Sequence, residues 1–419
     1  MTRFLVYTPP ATGHVFPLVP GLRALVARGH EVHVRTTEEL AVHLRVAGLT
    51  AEPVDERIAA SARAVDPDGR RHADDMSDLM RRGPWEMADL TRAIAEVRPD
   101  ALLVDSNTYG ASTAAEASGL PWAMTMPSVL ARPGRGIPPY GLGLAPRPGR
   151  IGALRDAVLW KVVERAFGRA MLPELNRMRG TAGLPPFRSP LDYSARPDLL
   201  ITLTGAPLEY PRADLEPHVR MAGSTPWDPP AETPQWLSAE GDPWVLVTCS
   251  TDYQADGALA QAAVAALRDE PVRVLVTLAD AYGEVTLPEA GNVRVERFVP
   301  HGAVLPHAAA VVCPSGMGIV SKAVAAGVPL VAVPFGRDQP EVARRVQQSG
   351  AGVILPAKKL SAARMLAAVR AARALPPRPA TPADGGAAFA DAAEELGVRA
   401  PAATAEPGAR TAVAERLGG

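Results

Sequence analysis

The sequence predicts an α/β protein made of two open parallel sheets in tandem. Three observations carry this. Short β-branched apolar runs alternate with longer helical patterns through most of the chain. A proline-rich stretch without periodicity breaks that alternation near the middle. And 419 residues are more than one hydrophobic core of ordinary size accommodates. In the first half FLVYT (residues 4–8) precedes a helical pattern over 17–28 and then EVHVRT (31–36). ALLVD (101–105) precedes a small-residue helix running through Ala117 and then PWAMT from Pro121. Residues 55–90 mix charges with Met and Trp, and residues 131–150 are rich in Gly and Pro, so both are expected as loops or short helices. The segment GSTPWDPPAETP (223–234) has the composition of a linker. After it come WVLVT (244–248), a helix over 257–269, VRVLVT (272–277), NVRVERF, AAVVC (309–313), a helix over 318–326 and LVAVP (330–334), with an amphipathic helix near 387–396. The expected division is an N-terminal domain 1–222, a linker 223–235, a C-terminal domain 236–385 and a helical tail 386–419. Two such sheets face each other across a cleft, and open α/β sheets bind ligands beyond the carboxyl ends of their strands.

Composition narrows the partners. A hydrophobic fraction of 47% with 21% charged residues is that of a globular chain, and a net charge of -1 argues against a nucleic-acid partner. The two cysteines, Cys249 and Cys313, close strand-like runs and form neither a disulfide framework nor a zinc pattern. No apolar window reaches spanning length and the first residues lack a signal-peptide core, so a cytoplasmic protein without membrane contact is expected.

Two clusters carry chemistry. Ser315, Gly316 and Gly318 lie between the strand ending at Cys313 and a helix starting near Ile319, which puts several backbone N–H groups at a helix N-terminus suited to a diphosphate. For the glycines alone, a tight βα turn is the alternative explanation, and the spacing to the Asp338-Gln339 pair weakens it. Asp338 and Gln339 follow the next strand. In the first half His14 follows FLVYT, and Asp105 closes ALLVD on the same crest. Imidazole titrates near neutrality and is held best by a carboxylate, so the two could pair as base and orienting acid, although on the residues alone a cap or satisfied loop histidine is the plainer reading of His14. Asp100 opens that strand at the opposite edge. The remaining histidines lack metal spacing, and Asp66-Pro67-Asp68-Gly69 is expected as a turn.

Residues 297–355, RFVPHGAVLPHAAAVVCPSGMGIVSKAVAAGVPLVAVPFGRDQPEVARRVQQSGAGVIL, resemble the nucleotide-sugar signature of the UDP-glycosyltransferase superfamily, the family 1 glycosyltransferases of GT-B fold. The first fifty residues resemble it clearly and the middle third in outline. The closest flavour is that of bacterial enzymes attaching sugars to antibiotics and macrolides. The resemblance implies two Rossmann-like domains and inverting transfer of a sugar from a UDP- or dTDP-sugar to a hydrophobic natural-product acceptor. It implies no metal or other cofactor, and a monomer or homodimer. It makes His14 the general base and Asp105 its orienting partner. It places Ser250 and Thr251 near the phosphates, with Phe298, Val299 and His301 at the nucleoside base. Ser315, Gly316, Met317, Gly318 and Ile319 would support the diphosphate, and Asp338 with Gln339 the sugar. Met76, Met80, Trp85, Met87 and residues 137–144 fall where the family builds its acceptor pocket, and suit ordinary packing equally.

The chain departs from the pattern at two positions. The usual His-Gly-Gly is Pro314, Ser315 and Gly316, although Asp338 keeps its spacing of 24 positions from Pro314. An acid often found eight positions on is Lys322. Losing one charge-assisted hydrogen bond costs about 1.5–3 kcal/mol. A GT-B auxiliary or binding protein with impaired donor turnover is therefore the alternative, whereas an epimerase would need cleft acids not found here. Ser315 and Lys322 are candidate compensations, with a solvated helix face the plain explanation of Lys322.

Overall fold

The computed structural model describes residues 1–63, 76–250, 257–380 and 384–403. Seven strands form the first sheet: β1 (Arg3–Tyr7), β2 (Glu31–Thr36), β3 (Thr50–Pro53), β4 (Ala101–Asp105), β5 (Trp122–Met126), β6 (Leu199–Thr202) and β7 (Val219–Met221). Their spatial order is β3-β2-β1-β4-β5-β6-β7. The second sheet contains β8 (Trp244–Thr248), β9 (Arg273–Thr277), β10 (Val293–Glu296), β11 (Ala308–Cys313), β12 (Leu330–Ala332) and β13 (Gly352–Ile354), in the order β10-β9-β8-β11-β12-β13. Every pairing is parallel, as in β1 with β4, where Phe4 faces Ala101 and Tyr7 faces Val104. Parallel strands covered on both faces need continuous apolar sequence, which is why FLVY and VLV are wholly buried.

Both sheets reverse strand order once, at β1/β4 and at β8/β11. Chain connections leave in opposite directions at such points and open a crevice at the carboxyl ends. His14 follows β1, and Asp105 ends β4; Ser250 follows β8, and the turn from Pro314 follows β11. Each half of the candidate site therefore sits at a switch point.

The structure differs from expectation in three segments. Residues 76–97 form one 22-residue helix, Met76–Val97, rather than loops or short helices. Pro84 lies inside it, and a close crossing supports it: a Cβ on Gly110 would lie 1.7 Å from the Gly83 carbonyl oxygen. A second long helix, Gly149–Thr181, follows the Gly/Pro-rich segment and was not signalled by it. The terminal helix Gly385–Ala403 crosses back to the N-terminal domain. Its Phe389 is fully buried against Gly21, and Glu395 pairs with Arg220. Thr251 and Asp66-Pro67-Asp68 lie outside the described residues.

Candidate active site

A cavity of about 630 Å³ lies between the carboxyl ends of the two sheets. His14 lines it from the short helix Thr12–Val15. Its Nδ1 is 2.9 Å from Asp105 Oδ1, so the two positions singled out on separate strands meet as a dyad. Asp105 is fully buried, and its Oδ1 also accepts the Asn107 backbone N–H at 2.8 Å. Its Oδ2 is buried with no hydrogen bond among the described residues. A buried, under-satisfied carboxylate gains from a cation beside it, so this dyad favours proton capture by the imidazole. Asp100 lies at the far end of β4, accepting the Arg3 backbone N–H, and takes no part.

Behind the dyad Glu86 is wholly buried, and its Oε2 accepts the Gly110 N–H at 3.1 Å. Burial pushes its carboxyl up to about 7, against the pull of Arg82 and with a further push from Asp105. The Asn107 side-chain Nδ2 lies 3.2 Å from Nε2 of His14, the ring atom opposite Asp105.

On the other wall the turn after β11 leads into the helix Met317–Ala325, whose N-cap Gly316 has no side-chain cap. Pro314, Gly316, Met317, Gly318 and Ile319 line the cavity. First-turn N–H groups of a helix lack intrahelical partners and suit an anion. At Ser315 the structure differs from the expected hydroxyl contact. Its backbone is left-handed (φ 76°), and its side chain is fully buried, with Oγ unpaired among the described residues and away from the cavity lining. It cannot replace the absent His with a hydroxyl from that position. The Val299 side chain packs into the core cluster that holds Val304 and Leu305 and does not line the cavity. Ser250, Phe298 and His301 do line it.

Lys322 is not a solvated helix residue. Its Nζ is 2.6 Å from Asp228 Oδ1, both side chains are about five-sixths covered, and both line the cavity. Asp228 belongs to the linker, and its Oδ2 also accepts the Gly302 N–H at 2.9 Å. The linker stretch 225–231 is thereby a wall of the site, anchored by Trp227 edge-on to Phe16 at 5.0 Å. Burial and then the Lys322 charge push His301 down to about 4, and its Nε2 lies 3.1 Å from Thr277 Oγ1.

Asp338 and Gln339 reach the cavity at the start of the helix Gln339–Gln348. Asp338 Oδ2 accepts the Ser128 hydroxyl at 2.7 Å, a bond between the two domains. Gln339 Oε1 accepts the N–H groups of Phe335 and Gly336, so half of its amide closes the turn. The proposed acceptor residues separate. Met80 is buried, while Met76, Trp85 and Met87 pack against the same core cluster, and none of the four lines this cavity. The loop over 137–144 instead docks on the second domain, where Arg344 Nε donates to the Gly143 carbonyl at 2.8 Å.

Sequence reasoning missed Ser128, Asn107, Asp228, His43 and Arg337, of which all but Asn107 line the cavity. They come from five separate segments, and no spacing links them. Among the described residues no group of His, Cys, Asp and Glu is arranged to hold a metal, and no helix is long and apolar enough to cross a membrane.

Two parallel-sheet domains enclosing a His–Asp dyad on one side and a helix N-terminus on the other define a GT-B glycosyltransferase. A family model described as "Erythromycin biosynthesis protein CIII-like, C-terminal domain" matches residues 261–382. Over 385 residues the chain is 34% identical to 4'-demethylrebeccamycin synthase of Lentzea aerocolonigenes, covering 88% of this chain and 91% of that one. It is 29% identical over 377 residues to demethyllactenocin mycarosyltransferase of Streptomyces fradiae, covering 84% and 75% of the two chains. The fold is shared with the solved glycotransferase of kitacinnamycin (TM-score 0.66, 22% identity, 96% and 97% covered). It is shared too with glycosyltransferase VinC, solved in complex with DTDP (TM-score 0.61, 24% identity, 99% and 100% covered). The chain belongs to the UDP-glycosyltransferase superfamily and is a glycosyltransferase.

Proposed function

We propose that this glycosyltransferase moves a sugar, with inversion, from a UDP- or dTDP-sugar to a hydrophobic natural-product acceptor. The observation that carries this is the dyad His14–Asp105 opening into the same cavity as the turn from Pro314 to Ile319. Nε2 of His14 takes the acceptor proton as the acceptor atom bonds to the anomeric carbon. The bond from that carbon to the diphosphate oxygen breaks, and Asp105 holds the resulting imidazolium. The nucleoside diphosphate leaves toward the N–H groups at the start of Met317–Ala325. Lys322, poised by Asp228, supplies the cation that Pro314 does not. Ser250 stands near the phosphates, Phe298 and His301 border the base, and Asp338 with Gln339 positions the sugar. No metal is required on this route, because helix dipole and ammonium carry the leaving charge.

The names of the relatives support a natural-product acceptor, and DTDP in VinC supports a thymidine donor. The protein is expected to act in the cytoplasm, as a monomer or homodimer. The test is single-turnover transfer with dTDP- and UDP-sugars in the presence of EDTA, the product's anomeric configuration being read by NMR. Retention of configuration, or loss of transfer in EDTA, overturns the mechanism.

A further inference from the structure

His14 is hydrogen-bonded at both ring nitrogens, and the two contacts constrain each other. Asp105 is buried and accepts two N–H groups at Oδ1, those of His14 Nδ1 and the Asn107 main chain. An ionised carboxylate only accepts, so Nδ1 carries the hydrogen. A neutral imidazole has one N–H, which leaves a lone pair on Nε2. The group 3.2 Å from that lone pair is the Asn107 side-chain amide nitrogen, a donor. Asn107 lies two residues beyond Asp105, and its own backbone N–H holds the same carboxylate oxygen, so one short segment touches both ends of the dyad.

We propose that Asn107 is a positioning residue for the base: its amide donates to Nε2 of neutral His14 and keeps that atom unprotonated until the acceptor takes the amide's place. The proposal rests on His14 acting as the base. A donor at Nε2 stabilises the neutral ring and opposes its protonation, whereas Asp105 at Nδ1 favours the cation. The two contacts therefore act on the ring's protonation in opposite directions. When an acceptor hydroxyl donates to Nε2, the amide must leave that lone pair. Once the proton has moved, a half-turn of the amide presents Oδ1 to the new Nε2–H. The same residue then serves both protonation states.

Among the described residues the other titratable or charged groups that face the dyad or line the cavity with it are Glu86 behind it and, on the cavity wall, His43, Arg337, His301, Asp338 and the Lys322–Asp228 pair. Substitutions at Asn107 leave all of these in place, so Asn107→Ala reports the amide and Asn107→Asp the position of that side chain beside Nε2. The test is nitrogen-15 NMR of the histidine rings across pH, with His14 assigned by its absence in His14→Gln. In the native protein the neutral ring should be the Nδ1–H tautomer. Asn107→Ala should raise the His14 pKa by about 0.5–1 unit, the worth of one net hydrogen bond. The near-isosteric Asn107→Asp should raise it further, by placing a carboxylate beside Nε2, and so covers the case in which the alanine variant does not fold. The acidic limb of kcat/KM should move alkaline by the same amounts.

A His14 pKa that Asn107→Ala leaves unchanged or lowers, or an Nε2–H tautomer in the native protein, overturns the proposal, and the tautomer reading needs no variant at Asn107. The two readings fail separately. If His14→Ala transfers sugar at the native rate, the base role falls while the tautomer result stands. If that variant is inactive and the Asn107 variants leave the pKa in place, only the role of Asn107 falls.

Discussion

The two walls of the cavity solve opposite electrostatic problems by different means. On the proposed mechanism the N-terminal wall holds the proton acceptor, and it does so with side chains: His14 on a one-turn helix, fixed by Asp105 beneath it. On the proposed mechanism the C-terminal wall receives the departing nucleoside diphosphate, and there the geometry offers main-chain N–H groups at a helix start, with Lys322 as the charged side chain nearby. A side-chain device fails when one residue changes. A backbone device spreads its work over several N–H groups and is expected to tolerate replacement of a single side chain. That tolerance follows from the physics of helix termini, whose N–H groups are present whatever side chains they bear.

Four substitutions break or sharpen this contrast. The largest effect is expected from His14→Ala, which should lower kcat about 10²–10⁴-fold. Calorimetry should show nucleoside diphosphate binding unchanged. Equal losses in rate and in diphosphate affinity would mean that the walls are not separate devices. Lys322→Met should weaken diphosphate binding by about 10–100-fold, the range for one charge-assisted hydrogen bond. It should leave the pH profile of the chemical step alone, and titration calorimetry with UDP and dTDP checks it. Pro314→His should strengthen donor binding by about tenfold or less, because the backbone contacts already provide most of the support. A much larger gain would show that the native turn is impaired.

The smallest effect on transfer is expected from Glu86→Gln, whose readout is stability. Burial raises the Glu86 carboxyl from 4.5 to about 7. Between these values the folded protein keeps a proton that the unfolded chain has released, so stability falls as pH rises from 4.5 to 7. Glu86→Gln should remove that decline, worth about 3 kcal/mol at most. Urea melts at pH 5 and pH 7.5 measure it.

Legibility in the sequence followed the periodicity. The central strands were visible because double burial demands unbroken apolar runs, as in FLVYT and WVLVT. His14 and Asp105 were visible because each sits just beyond such a run, at the carboxyl end. The helix Met76–Val97 was not, since its interior holds Pro84 and the wholly buried Arg82 and Glu86, residues that ordinarily mark surface or break helices. Ser315 was credited with a hydroxyl facing the site because spacing fixes a residue's place on a turn but not the direction of its side chain. Its left-handed backbone accompanies a side chain buried away from the cavity.

What the sequence determined by itself was the two-sheet architecture and the residues at strand ends, because burial and periodicity are local properties of the chain. The tertiary structure alone decided that Asp228 leaves the linker to meet Lys322, that Ser128 bridges the domains to Asp338, and that Asn107 reaches the far nitrogen of His14. It also returned the terminal helix to the first domain. These pairs are 94, 210 and 93 residues apart. A lone polar residue in a loop carries no periodicity that could announce its partner. Tertiary packing brings such partners within hydrogen-bonding distance, within one switch point for His14 and Asn107 and between the two domains for Ser128 and Asp338.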